Sequence, residues 1–205
     1  MTLAVATSGA KVIFTHDTEQ SLHAAAALVN TDATRSASKA DELGSVEDLA
    51  AFVARYRYSG SFTGSVGELH GVRDLRPEFL RFWELDRDHS VGLINAMLRQ
   101  ARALPQLVRH DGWDWHLHAA ESDAPFATRL RVETAMAMVD VIRSDEHRRL
   151  RRCEADDCDA VFVDLSRNRS KRFCDVGNCG NRMHVAAYRA RQGTGHSHDS
   201  PGDER

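Results

Sequence analysis

Arg152-Cys153-Glu154-Ala155-Asp156-Asp157-Cys158 and, after fifteen intervening residues, Cys174-Asp175-Val176-Gly177-Asn178-Cys179 hold all four cysteines of a 205-residue chain. Two C-x4-C pairs joined by a linker long enough to fold back offer four thiolates to one ion with little loop entropy to overcome, which is the donor set of a tetrahedral Zn²⁺ site. Thiols of a cytosolic protein are kept reduced, so disulfides are not expected. Free core cysteines, a redox pair or an Fe–S cluster are the alternatives to zinc at Cys153, Cys158, Cys174 and Cys179. A site closed by four thiolates keeps no position for water, so the metal is expected to act as a staple rather than a catalyst. The enclosed segment is too short to bury a useful core, and metal binding is expected to supply most of its folding free energy.

The same region divides the charge of the chain. The whole sequence carries 27 Lys and Arg against 30 Asp and Glu, a net charge of −3. Between positions 167 and 191, however, Arg167, Arg169, Lys171, Arg172, Arg182, Arg189 and Arg191 face the single acid Asp175, which leaves the remainder distinctly acidic. Ser166 to Arg172 alternates cations with Ser and Asn, a combination suited to phosphate oxygens. Cys179 opens an expected helix to Gln192, with Met183, Ala187 and Tyr188 against the metal lobe, Arg182, Arg189 and Arg191 outward, and Gly193 as terminator. Metal, basic loop and basic helix together imply nucleic-acid binding. The plainer alternative is a solvated face, or pairing with the acidic remainder.

The segment Arg152-Cys153 to Cys158, Phe162-Val-Asp-Leu-Ser-Arg-Asn-Arg-Ser170, Phe173-Cys174 and Cys179-Gly-Asn-Arg182, ending Tyr188-Arg-Ala-Arg191, closely resembles the CGNR zinc-finger family. In that family the finger follows a domain called ABATE, described as part of bacterial stress-induced transcription regulators. Leu28-Val29-Asn30-Thr31 resembles an early motif of that domain and Leu93-Ile94-Asn95-Ala96-Met97-Leu98 its central helix. An acidic residue usual ahead of the Asn-Thr pair is replaced by alanine in Ala26-Ala27-Leu28. The resemblance implies zinc at the four cysteines and a DNA-binding role, the latter as a family inference.

Upstream of the cysteines, 42% hydrophobic content and the absence of a long apolar run describe a soluble chain of one or two domains without a membrane span or secretion signal. Lys11 to Thr15 reads as a short strand, and Asp17 or Thr18 caps a helix through Asn30 with Leu22, Ala25, Ala26 and Val29 inward. Asp32 to Gly44 reads as a loop. Ser45 with Asp48 starts a helix ending near Tyr58, and another begins at Ser65 and runs, with a break, to Leu85. Asp86-Arg87-Asp88 interrupts the pattern, and a further helix spans Val91 to Leu104 before Pro105. Gln106 to His118 predicts a hairpin turning on Asp111-Gly112, with Trp113, Trp115 and Leu117 on one face and Asp114, His116 and His118 on the other. Phe126 to Ile142 is one amphipathic helix, and residues 193–205 are too polar to order.

No phosphate loop, nucleophile elbow, dinucleotide fingerprint or histidine-rich metal motif supports an enzyme, and no catalytic residue is assigned. His116 and His118 read as an exposed strand face, and Phe79, Phe82, Trp83, Trp113 and Trp115 as core. Asn30 and Thr31 are candidates to line a ligand cleft, against the plainer role of a helix terminus finding hydrogen bonds. The expected fold class is α+β. A mainly helical N-terminal domain with a β-hairpin (1–145) senses a small molecule or partner, a small treble-clef-like zinc finger (146–192) contacts DNA, and a disordered tail (193–205) follows. A cytoplasmic homodimer is expected, because one small finger binds DNA weakly. An RNA- or protein-binding zinc module, or a ligand-binding enzyme domain with an accessory finger, are the rival readings.

Overall fold

The computed structural model describes residues 14–109 and 114–193. Lys11 to Ile13 of the expected first strand, the Asp111-Gly112 turn with Trp113, and the tail beyond residue 193 lie outside the described residues.

Helix α1 (His16–Asn30) begins one or two residues before the expected caps, with Thr15 at the N-cap position. Its alanine-rich face allows close approach to α6 (Phe126–Arg143), which is buried on several sides by Phe126, Leu130, Val132, Ala135, Met138 and Val141. Met136, Val139 and Ile142, expected inward, are half-buried. Around this central helix lie α2 (Val46–Arg55), α3 (Val66–Arg73), α4 (Leu75–Leu80) with a 3-10 turn Arg81–Trp83, and α5 (Arg87–Gln100). α3 and α5 pack directly on α6, and α4 packs on α1. Phe79, Phe82, Leu75 and Met97 are fully buried among them.

The helix starts follow the sequence closely. Ser45 accepts from the Asp48 N–H while the Asp48 carboxylate accepts from the Ser45 N–H at 2.9 Å, a reciprocal capping box. Ser65 caps α3 through the Glu68 N–H, and the chain breaks at Asp74 between α3 and α4. Asp86-Arg87-Asp88 is a helix start rather than an interruption: Asp86 accepts from the His89 N–H at 2.8 Å, so α5 begins four residues earlier than expected. The helix ends depart further. Arg57, Arg102 and Asp145 each adopt a left-handed backbone conformation, and the following N–H of Tyr58, Ala103 and Glu146 reaches back to the carbonyl of Val53, Leu98 and Val141. These are Schellman closures with arginine or aspartate where glycine is usual, so α2 stops before Tyr58 and α5 before Leu104.

β1 (Gln106–Val108) and β2 (His116–His118) form an antiparallel pair in the register Gln106↔His118, Leu107↔Leu117, Val108↔His116. That register is one residue away from the one a two-residue Asp111-Gly112 turn would impose. The faces are reversed relative to expectation as well. Trp115 and Leu117 point to solvent at 62% and 43% exposure, with the Arg109 guanidinium over the Trp115 ring, while His116 and His118 turn toward α1 and α6.

After α6, a 3-10 turn His147–Arg149 leads into β3 (Leu150–Arg152), paired antiparallel with β4 (Val161–Val163). All three β4 residues are buried, and the strand alternation divides them between two cores. Val161 and Val163 join the helical core, whereas Phe162 joins a second cluster built on Ala155, Ala160, Cys174 and Cys179. Packing therefore runs continuously across residue 145. The final helix, α7 (Cys179–Gly193), starts at the last cysteine.

Candidate functional site

The β3–β4 hairpin brings Cys153 and Cys158 to one side of the small core, and the loop after β4 returns Cys174 and Cys179 to meet them. All four sulfurs lie within 4.8 Å of one another, and Cys174 Sγ stands 3.7 Å from the sulfurs of both Cys158 and Cys179. Zinc–thiolate bonds of about 2.3 Å arranged tetrahedrally place sulfurs about 3.8 Å apart, so the cage has the dimensions of a zinc site. No disulfide links them. Burial pushes the Cys158 and Cys174 thiols up, which disfavours four thiolates without a cation among them. At Cys179 burial acts the same way, yet the Arg182 guanidinium, donating to Sγ at 3.1 Å, and the neighbouring thiols bring the net shift downward. The donor set and spacing fit Zn²⁺, held by Cys153, Cys158, Cys174 and Cys179 and supplying a structural crosslink. Among the described residues this is the single cluster of three or more metal-ligating side chains in mutual reach.

The basic residues separate into two groups. Arg169 makes a two-pronged contact with Glu146 at 3.0 and 2.8 Å, and Glu146 also receives Arg149 at 2.8 Å. Burial opposes ionisation of Glu146, but these two guanidinium groups hold its carboxyl below the usual range. Lys171 pairs with Asp175, Arg172 with Glu154, and Arg182 with Asp157 at 2.5 and 3.0 Å. The buried Asp164 carboxylate accepts from the N–H groups of Ser166 and Lys171, each at 2.9 Å, and fixes the loop between them. Arg167 and Arg189 are exposed and make no ion pair among the described residues, and Arg191 is exposed as well. From His184 to Gln192 every residue of α7 is exposed. Met183 packs on the metal lobe as expected, but Ala187 and Tyr188 do not, and Tyr188 is 56% exposed.

Asn30 and Thr31 border a cavity of about 500 Å³ between α1, α2 and the finger. Their polar atoms are engaged within the protein. The Asn30 amide donates to the Val161 carbonyl at 2.8 Å and accepts from the Val161 N–H at 2.9 Å. Thr31 donates to the Leu28 carbonyl and accepts from Arg76 at 2.9 Å, and Arg76 in turn grips Asp41. The Trp83 indole donates to the Phe162 carbonyl at 3.0 Å, so two side chains of the helical part hold β4 by its backbone.

Several residues that organise the structure carry no local sequence signal. Arg129 is 4% exposed and donates to the carbonyls of Ser59, Ser61 and Ala124. Gly60, between two of those carbonyls, has φ +86°, and a Cβ there would stand 2.6 Å from the Arg129 guanidinium and from the Ser122 carbonyl. Tyr58 and Glu133 meet at a pocket beside the hairpin, a juxtaposition created only by tertiary packing.

Comparison with known families places both parts of this architecture. Residues 149–192 match the CGNR zinc finger, and residues 22–145 match ABATE, described as "Putative stress-induced transcription regulator". A comparison with curated proteins finds no match. With more than half its length matched, the chain belongs to the ABATE family and carries a CGNR zinc finger after the ABATE domain.

Proposed function

We propose that this protein is a zinc-stapled, DNA-binding transcription regulator whose nucleic-acid contact is made by α7 together with Arg167. The observation behind this reading is the exposure of α7 from His184 to Gln192 on every side, with Arg189 and Arg191 on it and the metal cage at its root. A helical stretch that buries nothing, as from His184 to Gln192, contributes little to the fold, and a basic helix of this size suits the duplex major groove. The four cations tied to Glu146, Glu154, Asp157 and Asp175 act in this reading as scaffold, shaping the loop rather than touching phosphate. The helical part serves as a sensor of a small molecule or partner. Its influence would reach the finger through α1 and Trp83, which hold β4, rather than through α6 alone. A cytoplasmic homodimer would supply the second half-site that a single finger lacks.

The test is binding of the zinc-loaded full chain to duplex DNA, with and without a zinc chelator, beside Arg189→Ala. The proposal expects duplex binding that is lost with the metal and weakened severalfold by the substitution. Equal affinity for unstructured RNA and duplex would favour the RNA-binding alternative.

A further inference from the structure

Between α1, the centre of α6 and the inner face of the β1–β2 hairpin lies a pocket of about 90 Å³ whose wall is polar in an unusual way. Three carboxylates, Asp17, Glu133 and Asp140, share it with His116, His118 and the Tyr58 hydroxyl. Arg57 is the one guanidinium on that wall among the described residues. Asp140 accepts from the Thr18 hydroxyl at 2.6 Å, and the two histidines face each other with Nε2 atoms 3.1 Å apart.

Two groups stand out because nothing among the described residues satisfies them. The Tyr58 hydroxyl is fully buried without a hydrogen-bond partner. The Glu133 carboxyl engages no donor among the described residues. Arg129, one turn before it, has its guanidinium directed to the backbone carbonyls of Ser59, Ser61 and Ala124 instead. Buried polar groups are rarely left unpaired, since the hydration they lose is then not replaced. A buried, unpaired hydroxyl beside a half-buried carboxylate without a donor marks a position that another molecule completes. The occupant's chemistry follows from what is missing. Glu133 and Asp17 call for a positively charged N–H donor, and the Tyr58 oxygen can accept from the same group. Met136 and Ala137 offer an apolar wall for a short carbon chain. A metal ion is disfavoured, because no three ligating atoms here lie in mutual reach as the cysteine sulfurs do.

We propose that this pocket binds a small primary amine, with its ammonium seated between Glu133, Asp17 and the Tyr58 hydroxyl. The site is separate from the finger and stands whether or not the chain binds DNA.

The experiment titrates n-butylamine, as its ammonium form, into the zinc-loaded full chain by calorimetry, with butan-1-ol and butyrate as neutral and anionic probes of the same chain length. The expected result is saturable one-to-one binding of the amine alone. Glu133→Gln should weaken it by tenfold or more, and Tyr58→Phe by a smaller factor, as expected for loss of a charged and then a neutral hydrogen bond. Far-UV circular dichroism and zinc content, both retained in Glu133→Gln, separate loss of binding from loss of fold. No saturable amine binding, equal binding of butan-1-ol, or unchanged affinity in Glu133→Gln would each overturn the assignment. So would a second equivalent of divalent metal lost on His116→Ala with His118→Ala.

Discussion

Asn30 at the end of α1 holds Val161 in β4 by both backbone polar groups, at 2.8 and 2.9 Å, across 131 residues of sequence. The amide side chain acts as a one-residue strand edge, pairing the backbone of the hairpin that carries the first two cysteines. Asn30→Ala would leave the Val161 N–H and C=O unpaired at a buried site, and a loss of about 2–4 kcal/mol in urea unfolding is expected. A change below about 0.5 kcal/mol would show the bonds to be replaceable by water.

Metal and helical core are linked through the same strand. Val161 and Val163 pack with α1 and α6, while the backbone on either side of β4 leads to Cys158 and Cys174. Removing zinc with a chelator should therefore lower the thermal midpoint of the helical circular dichroism signal, not only melt the finger. An unchanged helical transition in the chelated protein would separate the two parts.

Arg182 donates to Asp157, to the Gly177 carbonyl and to the Cys179 sulfur, and so braces the cage from an exposed position. Groups that orient and neutralise metal ligands are worth about 10–100-fold in affinity. Arg182→Ala is expected to weaken zinc retention by about tenfold or more in competition with a chromogenic chelator. Unaltered retention would return Arg182 to the set of surface cations.

Burial pushes the Glu133 carboxyl up to about 7, an effect that Arg129 reduces and Asp17 reinforces. A carboxyl raised in the folded state holds more protons folded than unfolded between its ordinary value, near 4.5, and about 7. Stability from this group therefore falls as pH rises through that window, by an amount on the order of 2–3 kcal/mol. Glu133→Gln should flatten the decline and leave the protein more stable than wild type at pH 8, read from urea midpoints at pH 5 and 8. Parallel profiles for the two proteins would show that the pH dependence does not originate at Glu133.

Much of the fold is legible in the sequence where a local signal and the tertiary structure agree. Ser45 with Asp48 and Ser65 with Glu68 announce α2 and α3, and the two C-x4-C pairs announce the metal cage. The helix ends are less legible because Arg57, Arg102 and Asp145 take the left-handed closing position without glycine. The hairpin faces are reversed because alternation shows which residues share a face but not which face meets the body. In this fold the body presents Asp17, Glu133 and Asp140, which favour His116 and His118 over Trp115 and Leu117. The basic stretch shows the same limit. Its composition marks a cationic surface, but only the fold brings Glu146, Glu154 and Asp157 against Arg169, Arg172 and Arg182.

That division of the cations makes a DNA contact by α7 and Arg167 measurable in the salt dependence of duplex binding. Each phosphate neutralised contributes about −0.9 to the slope of log affinity against log salt concentration. Arg167→Ala with Arg189→Ala is expected to reduce the steepness of that slope by about two, whereas Arg169→Ala, whose side chain is held by Glu146, leaves it unchanged where the fold is retained. A slope unaffected by the first pair, or binding that does not weaken with salt, would contradict a DNA contact made by α7 and Arg167.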